Sequence, residues 1–555
     1  MVHLWHLLAD ACSAGNALLV PPQDQRFAMT EVLDRAERTA SDVLAVVERP
    51  RRVGVLMANG EPWLRGVLTA LRLDAAAVPL PLPVGFAGAD AYVAHLRRVA
   101  ADASLDAVLV DSSLRRFITS RIRAGLDPVP LLDITEPVRP HGPDRPPCGG
   151  GDELAVIQYT SGSTSAPKGV TLTHRNVASG LNALIGGLGF APDDVVGLWV
   201  PLFHDMGLFM MLSGLANGST VCLWRPADFV RRPLRWLTEF VGSGATVLAA
   251  PNFCYEQLVE AAGREPVPEL DLSRWRLATN AAEMVRPATQ VAFEEIFGRY
   301  GLRPGVLSPG YGMAEATLIV SAQSGHLGPG WRALSVDRDR LDAGHQVRPV
   351  DPDDPAARTV VGCGPCPPEV SARIGDETGT AYPDGTVGEV QITGTPVTGG
   401  YLNLPPAQQP FTPDGWLRTG DLAFLDHGEL FIVGRLKDMI TVRGQNYYAE
   451  DVEEIVRATP GIERGRRAAI AVSDGSDERI VVLWETAVDP DRASTLAESA
   501  RERVRDQIGL AAVEVVPVAP TTIPHTSSGK VRRRAALQVY LTHRDSRPVP
   551  EGDPR

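Results

Sequence analysis

The sequence predicts an α/β fold: a large multi-layer N-terminal domain built on parallel-type sheets, followed by a small α+β C-terminal domain. Three observations carry that expectation. Short apolar runs alternate with helical patterns through most of the 555 residues, the order of strand–helix–strand units rather than of a bundle or a sandwich. The composition, 44% hydrophobic and 22% charged, is that of globular material in a chain long enough for two or more domains. Near residue 435 the pattern changes to that of a small α+β unit.

Taken in order, 155–159 reads as a buried strand that runs into a polar loop. Val177, Leu181, Leu184 and Leu188 then recur at helical spacing behind a potential cap, Thr173. The runs 195–200, 220–224 and 246–249 read as strands, with a helix around 234–241, and together they fit a parallel sheet. From Glu429 onward, ELFIVG and DMITVRG flank the polar turn GRLKD like a hairpin, and YAEDVEEIVRAT follows as a helix. Strands at 468–472, 479–484 and 512–518, a helix at 496–507, the TSSGK loop and a basic helix complete the small unit. The large domain is therefore expected at 1–435 and the small one at 436–541, with a charged, Pro-rich and disordered tail at 542–555. A stretch rich in Asp, Pro and Arg, roughly 335–360, is expected to be an irregular loop, either functional or mobile.

Lys and Arg number 54 against 67 Asp and Glu, a net charge of −13, which excludes a broad electrostatic grip on nucleic acid or anionic membrane. Any bound anion must be held locally. The apolar stretches are broken by Pro, Gly or charge short of a membrane span, and MVHLWHLLADACSAGN has no basic leader, so a cytoplasmic protein is expected. Six scattered cysteines make no disulfide framework. Cys363 and Cys366 form a single CxxC without the second pair of a zinc ribbon, so CGPC is expected to be a turn.

The segment YTSGSTSAPKGV, 159–170, places Thr160, Ser161, Gly162, Ser163, Thr164, Ser165, Lys168 and Gly169 directly after a buried strand. Small hydroxyl residues and glycines let backbone N–H groups approach phosphate oxygens, and the lysine supplies charge. The spacing is not that of a Walker P-loop. A solvated linker has the same composition, and only partner motifs elsewhere separate the two readings.

Those partners occur. The loop resembles the phosphate-binding signature of the adenylate-forming superfamily, and six further motifs follow in the superfamily's order: PLFHDMGL (201–208), TNAAE (279–283), GYGMAEAT (310–317), WLRTGDLAFL (416–425), GRLKDMITVRGQNYYAEDVE (434–453) and TSSGKVRRR (526–534). HDMGL, AEAT, RGQNYYAEDVE and an insertion at 335–360 are most similar to fatty acyl-AMP ligases. The resemblance implies an ATP- and Mg²⁺-dependent ligase. It joins a carboxylic acid to AMP and passes the acyl group to the phosphopantetheine thiol of an acyl carrier protein, in a natural-product pathway.

It also implies roles. Thr160, Ser161, Gly162, Ser163, Thr164 and Lys168 would hold the β- and γ-phosphates, and Glu315 would ligate Mg²⁺. Tyr311, with Gly312 and Met313 after it, would stack on adenine, and the backbone of Asn280, Ala281 and Ala282 would run along the adenine edge. Asp421 would accept from the ribose hydroxyls with Arg435 nearby. Lys530 would bridge the acyl carboxylate and the α-phosphate, from a mobile small domain pivoting at Lys437. His204 and Asp205 would stand at the mouth of an acyl site bounded by Met210, Met211, Ala249 and Ala250.

Read alone, each residue has a plainer account. Glu315 suits a helix N-terminus, Asp421 a turn, Arg435 and Asp438 a surface ion pair, His204 a loop and Lys530 an exposed basic run. Met210 and Met211, where such ligases carry glycines, either fill an acyl tunnel and favour short or compact acids, or are adaptable core filler. The rival readings are an acyl-CoA synthetase, an amino-acid or aryl-acid adenylating enzyme, and a carrier-binding scaffold. Retention of Glu315, Asp421 and Lys530 together argues against the scaffold. Arg464, Arg466 and Arg467 are candidates for a basic patch facing an acidic carrier.

Overall fold

A computed structural model describes residues 3–12, 15–83, 86, 88–114, 120–135, 149–160, 167–324, 330–442, 445–462, 464–474, 477–526 and 530–545. The chain divides into two compact units. One comprises Met1–Leu334, Thr359–Thr419 and Ala423–Ile432, and the other Ser335–Arg358, Gly420–Leu422 and Val433–Arg555.

Two large sheets organise the first unit. The larger has eight strands in the order Ile319–Ala322, Leu307–Gly312, Leu277–Asn280, Val247–Ala250, Val195–Leu198, Thr220–Leu223, Ala17–Val20 and Gln25–Ala28. Its six central strands are parallel and its two edge strands antiparallel. The second sheet runs Leu131–Asp133, Ala107–Val110, Arg52–Leu56, Ala76–Pro79, Leu154–Thr160 and Lys168–Thr173, again parallel except for the last strand. Strands such as Ala107–Val110 and Val247–Ala250 are buried along their whole length, because helices cover both faces of a parallel sheet. One apolar core runs through both sheets.

Local chemistry sets the helices that matter most for the site. Thr173 caps His174–Leu188 by accepting from Asn176 N, and Asn176 returns a bond to Thr173 N, closing a capping box. The helix Asp205–Ala216 is buried on every side from Met206 to Leu215, as an all-apolar helix must be. Gly207 permits this, since a Cβ there would stand 2.4 Å from the Pro201 carbonyl oxygen.

In the second unit, the three-stranded sheet Arg467–Asp474, Asp477–Glu485 and Val513–Val518 alternates its apolar residues between two faces. Ile480, Val482 and Trp484 pack with the helices Ala449–Arg457 and Pro490–Ile508, while Val481, Leu483 and Val516 pack with Arg533–Asp545. Among the described residues no helix is long and apolar enough to cross a membrane.

The structure corrects several expectations. ELFIVG and DMITVRG do not pair across GRLKD. Glu429–Arg435 belongs to a four-stranded sheet with Leu417–Asp426, whereas Met439–Val442 pairs with Gln445–Tyr448 and Leu436–Asp438 is a 3-10 turn between them. The helix expected at 496–507 starts earlier, at Pro490, because Asp489 caps it through Arg492 N. The basic helix runs to Asp545, past the expected start of the tail at 542, and 546–555 lie outside the described residues. The stretch at 335–360 is bounded by two paired strands, Ala333–Asp337 and Ala357–Val361.

Residues 335–358 of that stretch cluster with the second unit for a physical reason. The Arg358 guanidinium lies 4.7 Å over the Tyr448 ring, donates to the Val433 carbonyl at 2.8 Å and pairs with Asp451 at 2.8 Å. Tyr448 donates in turn to the Leu341 carbonyl at 2.7 Å. Burial raises the Asp451 carboxyl pKa, and Arg358 and Arg338 oppose that rise.

Candidate active site

The antiparallel pair Leu154–Thr160 and Lys168–Thr173 places Thr160 opposite Lys168. The two ends of the Ser/Gly loop are thereby fixed. Ser161, Gly162, Ser163 and Thr164 themselves lie outside the described residues. Tyr159 anchors the approach to the loop, its hydroxyl donating to Asp102 at 2.6 Å, while the Lys168 ammonium stands 5.0 Å over the ring of Tyr401.

Tyr401 also reaches the second expected phosphate-site residue. Its hydroxyl donates to Glu315 Oε1 at 2.6 Å. Glu315 is buried in the 3-10 turn Ala314–Ala316, and its carbonyl accepts from Thr398 N at 2.7 Å. Thr398 donates to the Thr171 carbonyl at 2.6 Å, and Asn176 donates to the carbonyls of Thr395 and Val397 at 2.8 and 3.0 Å. The segment 395–402 thus ties the lysine-bearing strand to the glutamate-bearing turn. The sequence reading did not single out Tyr401 or Thr398; the only signal was the small-residue run VTGGYLN, 397–403. A buried carboxylate with one oxygen oriented by a tyrosine is a hard donor that suits Mg²⁺.

Gly312, on the bulge before Glu315, is there for want of space: a Cβ would fall 2.0 Å from the Leu318 carbonyl oxygen. Met313 N donates to that same carbonyl at 2.8 Å. Tyr311 is half-buried, with its hydroxyl 3.9 Å from the Met313 sulfur.

At the strand ends next door, Ala249 and Ala250 pair in parallel with Thr279 and Asn280. The Asn280 side chain turns inward, wholly buried, donating to Asn252 Oδ1 at 3.1 Å and Gln290 Oε1 at 3.0 Å. Ala281 N donates to the Ala250 carbonyl at 3.2 Å, and Ala282 sits at φ 69°. That left-handed backbone costs a non-glycine residue about 1 kcal/mol or more, and such strain gathers at functional loops. His204 precedes the helix Asp205–Ala216, whose Asp205 carboxylate accepts from Met206 N at 2.8 Å. Gln158, on the strand leading to the Ser/Gly loop, donates to the Phe203 carbonyl at 2.9 Å and so fixes the loop before His204. Met210 and Met211 are buried in the core.

The other expected residues belong to the second unit. Asp421 is buried and pairs with Arg435 Nε at 2.6 Å. Lys437 is exposed, yet its ammonium pKa is held below the ordinary lysine value. Partial desolvation is the largest cause, Arg435 and Lys530 act in the same direction, and Asp438 and Asp421 oppose them. Thr526 N donates to the Lys530 carbonyl at 2.8 Å and Lys530 N to the Thr526 hydroxyl at 3.1 Å, which closes the lysine loop. Arg533, three residues on, pairs with Glu453 and with Glu450 at 2.8 Å. Arg464 and Arg466 are exposed, Arg466 lying 2.8 Å from His525, whereas Arg467 is half-buried and donates to the Ile462 carbonyl.

A profile of the family described as AMP-binding enzyme matches residues 11–402, well over half of the chain. The chain belongs to that family. It is 34% identical over 524 residues to the long-chain-fatty-acid–AMP ligase FadD26 of Mycobacterium marinum, covering 88% of this chain and 87% of that one. It is 33% identical over 558 residues to FadD23 of Mycobacterium tuberculosis, also a long-chain-fatty-acid–AMP ligase, covering 93% and 92%. A solved structure from work on the fatty acyl-adenylate ligases of E. coli and L. pneumophila superposes with a TM-score of 0.90 at 28% identity, covering 98% of this chain and 99% of that one. The AMP-binding enzyme is thus an AMP-forming ligase of the fatty acyl-AMP ligase type, with the α/β architecture expected from its sequence.

Proposed function

We propose that the enzyme activates a fatty-type carboxylic acid with ATP to give acyl-AMP and pyrophosphate, then passes the acyl group to the phosphopantetheine thiol of an acyl carrier protein. The observation that carries this reading is the joining of Lys168 and Glu315 through Tyr401 at the base of the Ser/Gly loop. A cation and a buried carboxylate held on one aromatic residue suit a polyphosphate and its metal. In the first step a carboxylate oxygen attacks the α-phosphorus, the bond to the bridging oxygen breaks, and pyrophosphate leaves. The protein's task there is positioning and neutralising charge on oxygen.

On this reading Thr160 and Lys168, with the loop between them, hold the β- and γ-phosphates, and Glu315 holds Mg²⁺. The metal, when bound, neutralises charge on phosphate oxygens. Tyr311 lies against adenine, the 280–282 backbone along its edge, and Asp421, oriented by Arg435, accepts from the ribose hydroxyls. Lys530 offers its charge to the carboxylate and the α-phosphate, and the small domain pivots at Lys437 between the two steps. His204 and Asp205 face the acid, with Met210, Met211, Ala249 and Ala250 around its chain. A carrier rather than CoA as acceptor is supported by the stretch 335–360, which resembles the insertion of fatty acyl-AMP ligases; Arg358 and Tyr448 bind its residues 335–358 into the second unit.

The test is Lys530→Ala in acid-dependent pyrophosphate exchange. A group that serves mainly the transition state is expected to cost on the order of 100-fold or more in rate while ATP binding stays near wild type. Wild-type exchange in the variant would remove Lys530 from the site.

A further inference from the structure

The charge on this acidic chain is uneven, and one basic cluster has no part in the site described above. Residues 225–235, RPADFVRRPLR, carry four arginines against one aspartate in a chain of net −13. Arg225, Arg231, Arg232 and Arg235 are all exposed, and between them Val230 is 52% exposed, one of few large apolar side chains left open to water among the described residues. The Asp228 carboxylate accepts from Arg225 N at 3.0 Å, and Arg235 pairs with Glu239 at 3.1 Å. Positive charge is still in excess at Arg225, Arg231 and Arg232. Like charges set this close repel one another, a standing cost that an acidic partner would relieve.

The cluster is built rigidly onto the first unit. It lies on the helix Pro226–Arg231 and the start of Pro233–Gly242. Phe229 is fully buried and stacks on Trp199 at 4.1 Å, while Trp236 meets Phe229 edge-on at 5.2 Å. A single side chain joins the base of the cluster to the loop before His204. Asn59 Nδ2 donates to the carbonyls of Trp224 and Val200, each at 2.9 Å, and Asn59 Oδ1 accepts from Leu202 N at 3.1 Å. Arg225 follows Trp224, and His204 lies two residues after Leu202.

We propose that Arg225, Arg231 and Arg232, with Val230 at their centre, form the docking surface for the acidic face of the phosphopantetheinylated carrier that receives the acyl group. This rests on the carrier reading above. The surface lets a macromolecular acceptor be recognised at a distance by charge, with one apolar contact, and brings its thiol to the side of the unit where His204 and the acyl site lie. A membrane fits less well, because the net charge of −13 opposes approach to anionic lipid and one exposed valine gives little to insert.

The experiment uses the full chain carrying Arg225→Glu, Arg231→Glu and Arg232→Glu together, with Arg231→Gln plus Arg232→Gln as a milder variant should the triple change lower the melting temperature. Three rates are compared at low salt: acid-dependent pyrophosphate exchange, acyl transfer to a phosphopantetheinylated acidic carrier protein, and acyl transfer to free pantetheine. Exchange and transfer to pantetheine are expected to be unchanged, while kcat/KM for the carrier falls about tenfold or more, mostly in KM; raising the salt should take the same advantage from the wild type. Equal carrier transfer by wild type and variants at low salt overturns the surface alone. Loss of binding to phosphatidylserine vesicles with carrier transfer intact overturns it in favour of a membrane contact. A wild type that acylates CoA and no carrier overturns the carrier reading, and this surface with it.

Discussion

Glu315 can serve a metal only if its carboxylate is held, and Tyr401 is a side chain that holds it, at 2.6 Å. A hydrogen bond to a charged acceptor contributes about 1.5–3 kcal/mol. Tyr401→Phe removes that bond while keeping the ring beneath Lys168. Adenylation is expected to fall about tenfold with a higher Mg²⁺ requirement and an unchanged melting temperature, read by pyrophosphate exchange across a Mg²⁺ titration; an unshifted titration would make the tyrosine merely structural. The sequence made Glu315 and Lys168 legible because each sits inside a contiguous motif. Tyr401 was not legible, since its partner lies 86 residues away and no local period or spacing encodes the meeting. The Asn280 side chain was equally opaque, because its inward turn depends on Asn252 and Gln290 from two helices outside its own strand.

At the scale of elements, the proposed function makes the helix Asp205–Ala216 bear on substrate choice. Gly207 meets Pro201 and Gly214 meets Val196 and Val221, so that side of the helix faces the eight-stranded sheet. With a step of about 100° per residue, Met210 and Met211 flank the same side, toward the strands that end at the proposed acyl site. Met210→Ala and Met211→Ala are each expected to destabilise the fold by about 2–5 kcal/mol and to move the preferred acid to longer chains. A chain-length profile unchanged while stability drops would show both methionines to be core filler.

A second element carries a pH dependence. The N-terminal helix Leu4–Cys12 docks where Leu4 N donates to His174 Nδ1 at 3.3 Å, and His174 lies 3.9 Å from the ring of His3. His3 meets Asp74 at 2.9 Å, with His6 and Glu153 also acting on it. Burial, then His3, pushes His174 down to about 4 from 6.5, against Asp74. The unfolded chain therefore binds more protons between those two values, and stability rises with pH across that window. Acidification from about pH 6.5 to about 4 is expected to remove roughly 3 kcal/mol, and His174→Gln to flatten that slope in denaturant titrations; equal slopes in both proteins would contradict the assignment. Strands with long apolar runs were legible from sequence, and so was the parallel sheet formed by 195–200, 220–224 and 246–249, but the pairing on either side of GRLKD was not. A polar turn between two β runs looks the same whether the runs pair with each other or, as around Leu436–Asp438, enter different sheets.

For the whole molecule, the α/β character could be read from periodicity, and the second unit's last continuous run begins at Val433. That 335–358 clusters with this second unit could not be read, because it depends on Arg358, Tyr448 and Asp451 meeting across some 90 residues of chain. Glu315 and Lys168 lie in the first unit, Asp421 and Lys530 in the second. The most direct measurement of the proposed function supplies the enzyme with ATP, Mg²⁺ and a series of fatty acids, and follows pyrophosphate release, acyl-AMP and thioester with CoA or a phosphopantetheinylated carrier protein as acceptor. Acid-dependent pyrophosphate release, with thioester on the carrier and none on CoA, is the expected result; acyl-CoA formed as fast as acyl carrier, or pyrophosphate release indifferent to the acid, would contradict it.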